Sequence, residues 1–135
     1  MCLVTNNSKP KIATKDIMVY KVLKCQDYED YLTPWQNRTI KLDSTFIADG
    51  EKEIIPVNNN FEIEGGFIHA YINKEKAIDI AASFSSMDVY QSHRRYVVVK
   101  CIVLKGTEYF ISKDGYEICS TVLKIGKTPL EWYNI

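Results

Sequence analysis

The sequence predicts an α+β domain: an antiparallel or mixed β-sheet of five to seven strands with one main helix packed on it. Three observations carry that expectation. Residues 95–104 (RYVVVKCIVL) are apolar on both faces except for Lys100, as in a central strand covered on both sides. Residues 74–84 (KEKAIDIAASF) place Ala77, Ile80, Ala81 and Phe84 at i, i+3, i+4 and i+7, which is one face of a helix. Two strand-like runs, EYFIS and YEICSTVLKI, flank Lys113-Asp114-Gly115, a hairpin signature.

The remaining elements follow in chain order. Residues 1–15 are polar and read as an N-terminal arm or early loop of a single domain, 1–135. Residues 16–24 (DIMVYKVLK) predict a strand with Ile17, Val19 and Leu23 on one face, interrupted by Lys21. Thr33-Pro34 turns the chain within an aromatic segment, 26–37. Short strands are expected at 38–42 and 45–48, around a turn at Asp43-Ser44, before a second turn at Asp49-Gly50. Residues 51–64 alternate loosely around the turn signal Asn58-Asn59-Asn60. Gly65-Gly66 precedes a short strand, Phe67 to Tyr71, and Asn73 is a good helix N-cap. The tail, with Trp132 and Tyr133, is expected to fold back, because such rings bury large areas.

Composition narrows the function classes. Apolar residues make up 46% and charged residues 25%, so the chain is globular rather than disordered. Net charge is zero, whereas a protein that neutralises many phosphates carries a basic excess, so duplex nucleic acid is not the expected partner. The four cysteines show no metal-ligand spacing, and no metal site is expected. With no leader peptide and no apolar run near membrane length, the reading is a cytoplasmic protein with free thiols and no membrane contact. Abundant Lys, Ile and Asn point to an AT-rich genome, bacterial or viral.

Four groups of residues are candidates for chemistry. Cys2 would become an N-terminal nucleophile if Met1 were removed, although a plain second residue is the preferred reading. In the FIHAY strand, alternation puts Phe67, His69 and Tyr71 on one face, where an imidazole beside two rings suits a planar ligand, although a core histidine bonded to backbone, with the two rings as packing, is the preferred reading. The glycines before it let a backbone approach such a ligand closely. His93-Arg94-Arg95 suits an anion, against a plain reading as a solvated strand end. Tyr20, Tyr28, Tyr31 and Trp35 line a groove or pack on the sheet. The sequence has no Walker loop, GxGxxG, HExxH or GxSxG pattern.

The segment Glu64 to Tyr71 (EGGFIHAY), the helix after it and the Val-rich strand at 96–104 resemble a small bacterial family of unknown function. That family carries an EGFIHCS-type motif and has an ADP-ribosyltransferase-like fold. Here the motif has an extra Gly and ends in Ala70-Tyr71, and Lys21 stands where an Arg or His is expected. The resemblance implies pocket residues Lys21, His69, Tyr71 and Glu117, with Glu117 stabilising an oxocarbenium-like ribose. The leading expectation is a small cytosolic accessory protein, of phage or mobile-element type, that uses no cofactor. It would bind a partner protein or nucleotide-like ligand through Tyr20, Trp35, Phe67, His69, Tyr71, Arg94 and Arg95. The alternative is an ADP-ribosyltransferase-like enzyme acting on NAD or a nucleotide, with Lys21, His69 and Glu117 as its catalytic set. A structural or assembly subunit is the third reading.

Overall fold

A computed structural model describes residues 3–26, 30–33, 38–87 and 94–130. In chain order the strands begin β1 (Leu3–Thr5), β2 (Lys11–Ile12), β3 (Ile17–Gln26), β4 (Asp30–Leu32), β5 (Thr39–Ile40) and β6 (Thr45–Ile47). They continue β7 (Ile54–Val57), β8 (Asn60–Ile63) and β9 (Ile68–Tyr71), and then comes helix α1 (Lys74–Met87). Last are β10 (Arg94–Val103), β11 (Glu108–Ile111), β12 (Glu117–Ser120) and β13 (Val122–Leu130).

The expectation of an α+β domain with five to seven strands is overturned. The described residues form 13 strands in two sheets, with 54% of residues in strands and 10% helical. The physical reason is strand length. Only β3, β10 and β13 reach nine or ten residues; the others have two to four. A two-residue strand shows no alternation, and its pairing is decided by its neighbours rather than by its own pattern. The polar lead-in illustrates this. It supplies β1, paired with β8, and β2, paired with β11.

The large sheet runs in the order β2-β11-β12-β9-β3-β10-β13-β6, with β4 paired to β3 and β5 to β4. Its members β12 and β13 are one stretch of chain interrupted only at Thr121. The path β12-β9-β3-β10-β13 therefore begins and ends on the same segment, and the sheet curls around one inner core. That core holds Val19, Leu23, Ile68, Ala70, Val97, Val99, Val103, Ile118, Leu123 and Ile125, all buried. Part of the curl comes from a bulge in β13, whose residues 126–128 stand opposite a single β10 residue, Lys100. Gly126 lies against it, and a Cβ there would meet the Lys100 carbonyl oxygen at 2.3 Å.

Two covers protect the outer face. Helix α1 lies over β3 and β10, packing Ala77 and Ala81 against Val22, Tyr71, Tyr96 and Val98. Asn73 caps it, its Oδ1 accepting from the Lys76 N–H at 3.1 Å. The second cover is the small sheet β1-β8-β7, which packs Leu3, Ile63 and Ile54 on Phe67, Phe110 and Cys119. Its β7–β8 hairpin turns through Asn58 and Asn59, both at positive φ, as the asparagine run predicts. Pro56 sits in β7, an edge strand, where a missing N–H is tolerated.

β10 is the expected central strand, paired with β3 at ten residues and with β13 on its other side. The β11–β12 hairpin turns at Asp114-Gly115, with Gly115 at φ +82. Asp114 Oδ1 accepts from Ser112 Oγ and the Tyr116 N–H, and these bonds hold its carboxyl below the usual range. The tail rings Trp132 and Tyr133 lie outside the described residues.

Candidate functional site

Strand β3 is zipped to β10 on one flank, but its other flank is split. There it pairs with β9 only at Tyr20↔Tyr71, and with β4 at Lys24↔Leu32, Cys25↔Tyr31 and Gln26↔Asp30. Among the described residues, 21–23 therefore have no strand partner on that side. A cleft of about 240 Å³ opens at the split. Its inner lining is buried: Lys21, Val22, Phe67, Ile68 and Tyr71, with His69 half-buried beside them. Phe46 and Phe84 add walls, and Asp49, Glu51, Glu53 and Glu64 stand exposed around the mouth.

Alternation explains how these side chains meet. Lys21 lies on the inner face of β3 with Val19 and Leu23, whereas His69 and Tyr71 alternate with inward-facing Ile68 and Ala70 on β9. They belong to opposite faces and come together only because the sheet parts between them. Lys21 Nζ reaches through and donates to the His69 carbonyl oxygen at 2.6 Å. A separated pair of strands leaves backbone acceptors without partners, and here a lysine serves one of them.

The electrostatics are unusual for so small a site. Burial pulls the Lys21 ammonium down to about 8, partly opposed by Cys101. That leaves it mostly charged at neutral pH, and among the described residues no carboxylate forms a salt bridge with it. Burial, then the Lys21 charge, lowers His69 to about 4, so the imidazole is neutral. Its Nε2 is buried with no hydrogen-bond partner among the described residues. Burial and then Glu117 push the Tyr71 phenol up to about 12. The site thus offers a cation with spare donors, an unpaired neutral imidazole nitrogen and aromatic walls.

The mouth is held by its own contacts. Arg38 pairs with Asp49, and its guanidinium lies 5.3 Å from the Phe46 ring centroid. Residues 51–53 cross over Gly65 and Gly66. A Cβ on Gly65 would lie 2.9 Å from the Glu51 carbonyl oxygen, and one on Gly66 2.7 Å from Lys52 Cα. Gly66 also has φ +78. The close approach expected of these glycines toward a ligand is made instead by the chain's own strap. Lys52 ties that strap to Glu108.

Of the residues singled out in the sequence, the cleft gathers Lys21, Phe67, His69 and Tyr71. Phe67 also meets Phe110 edge-on at 5.4 Å. Tyr20 is half-buried under the helix cover and does not line the cleft. Glu117 is the register partner of Tyr71, so the two share a face, but it too stands outside the lining. Burial and Asp114 raise its carboxyl. Arg94 and Arg95 open β10 opposite Gln26 and Cys25, and their side chains are not described. Cys2, Tyr28, Trp35 and His93 lie outside the described residues, while Tyr31 packs against the inner core.

Sequence reasoning passed over Arg38, Phe46 and the mouth carboxylates. Phe46 and Arg38 sit in or beside strands too short to show a period, and isolated acidic residues look like ordinary surface. Phe84 was legible only as a helix-face residue. Among the described residues, no group of three or more His, Cys, Asp or Glu side chains is placed to hold a metal ion. No helix among them is long and apolar enough to cross a membrane. No protein-family model matches the chain, and no curated protein or solved structure matches it either.

Proposed function

We propose that this chain is a small-molecule binding module whose ligand is a single planar ring of nucleobase or nicotinamide type, carrying a hydrogen-bond acceptor. The observation that supports it most is the pairing of unfilled polar capacity with aromatic walls at the split. A buried polar atom without a partner is rare and costs about 1–3 kcal/mol, and a ligand is one way to recover that cost. His69 Nε2 is such an atom, and Lys21 has donors to spare beside it. The cleft volume suits one ring rather than a dinucleotide, since drug-sized sites run to roughly 300–1,000 Å³. The carboxylates at the mouth favour a neutral or cationic ligand over one bearing phosphates.

Glu117 stands outside the lining, which favours binding over cleavage of NAD as the reading. The buried free cysteines Cys25, Cys101 and Cys119 suit a reducing compartment, and the cytoplasm is the proposed location.

Thermal melting with adenine, nicotinamide, ADP-ribose and NAD tests the proposal. A single-ring compound at 100 times its dissociation constant should stabilise the fold by about 2.7 kcal/mol, and the phosphate-bearing compounds should do less. Lys21→Met and His69→Ala should each abolish the shift. If none of the four compounds moves the melting curve, the ligand class is wrong.

A further inference from the structure

We infer that Lys21 is a carbonyl-capturing amine, forming an imine with an uncharged aromatic aldehyde or ketone that enters the cleft between β3 and β9. Its position supports this. The side chain is buried, lines the cleft, and among the described residues holds one hydrogen bond, to the His69 carbonyl oxygen. Phe46, Phe67, Tyr71 and Phe84 supply walls against which an aryl group packs. No carboxylate among the described residues pairs with the ammonium and holds it protonated. Desolvation, which lowers its proton affinity to about 8, keeps a useful fraction as free amine near neutral pH. An imine is also uncharged once deprotonated, so the product suits a dry site better than the ammonium does.

The step balances without a further reactant. The neutral amine nitrogen attacks the carbonyl carbon, and the carbon–oxygen π pair moves to oxygen. The nitrogen's two protons leave with that oxygen as water, and a carbon–nitrogen double bond remains. Capture therefore needs only the aldehyde and the amine, and is reversible by water.

This inference rests on the cleft admitting a ring, as the binding proposal does, but not on the same ligand. The test uses the full chain, benzaldehyde and sodium cyanoborohydride at pH 7, with peptide mass mapping of the reduced adduct. Lys21 should be benzylated at least about tenfold faster than the average surface lysine, as its lower proton affinity requires. Lys24 is an internal control: it is equally buried at 6% exposure, yet does not line the cleft, and should stay unmodified. Glyoxylate, an anionic aldehyde, should react more slowly at Lys21 than benzaldehyde does. Lys21→Met should lose the fast adduct alone. Modification spread evenly over surface lysines, or an unmodified Lys21, overturns the inference. Mapping the unmutated chain distinguishes these outcomes even if the variant does not fold. A melting shift with nicotinamide in the absence of a Lys21 adduct would leave the binding proposal standing while this one falls.

Discussion

Along its β10 flank, β3 is paired at ten consecutive residues, from Ile17 to Gln26. Along the other flank it touches β9 at one residue and β4 at three, with a gap at 21–23. The same strand, with the same alternation, thus builds a dry core on one side and a polar cleft on the other. Within the gap itself, Leu23 and Lys21 differ in what they bring to the interior. Both face inward and both are buried, at 0% and 6% exposure. Leu23 is surrounded by apolar side chains and carries no polar demand. Lys21 carries a charge that the interior does not neutralise, and it is retained where the sheet parts. The zipped flank closes the core, and the split flank opens the cleft.

The largest effect that could break this contrast is a pair of core substitutions. Leu23→Ala should cost about 2–5 kcal/mol in urea unfolding at pH 7, from lost burial and a cavity. Lys21→Met, two residues earlier on the same face, should fall within about 1 kcal/mol of the unmutated chain or exceed it. Removing a poorly paired buried charge offsets the lost bond to the His69 carbonyl. Equal losses for the two variants would make Lys21 a structural staple and end the distinction.

A smaller effect comes from His69. Its folded-state value, about 4, lies below the ordinary 6.5, so the unfolded chain binds the proton more readily. The resulting stability is fully present above pH 6.5 and is lost as pH falls through 4. The loss should reach at most about 3 kcal/mol. Unfolding curves from pH 7 to 4 should show it, and His69→Asn should flatten it. An unchanged slope in that variant would place the acid sensitivity elsewhere, in the carboxylates.

The smallest effect separates fold from site. Asn73→Ala removes the cap of the helix that covers both flanks and should cost about 1 kcal/mol. Ligand affinity, measured by calorimetry, should be unchanged. A parallel loss of affinity would mean that α1, which contributes Phe84, sets the cleft's shape as well as covering it.

Long elements were legible in the sequence because they carry enough residues to show a period. The β10 run, the helix face from Ala77 to Phe84, its cap at Asn73 and the Asp114-Gly115 hairpin all follow from local patterns. The alternation of FIHAY was equally local, and it correctly separates Ile68 and Ala70 from His69. The short strands expected at 38–42 and 45–48 are present as β5 and β6, but β1, β2 and β4 were not legible, since two or three residues in a polar or irregular segment do not declare themselves. The error in fold class follows from that alone. In the site, His69, Phe67 and Tyr71 were visible as one face of one strand. Arg38, Phe46 and Glu51 were not, because nothing in their own segments marks them.

By itself, the sequence determined which residues face which way along each long strand, since side-chain direction alternates with the backbone regardless of partners. On that basis it placed Lys21 as an interruption in an apolar face. Only the tertiary structure decided that the interruption lines a cleft. Pairing with β9 at a single residue parts the sheet, and the opening lets a side chain from one face meet a strand segment from the other. Such a meeting depends on contacts 48 residues apart in the chain, which no local pattern encodes.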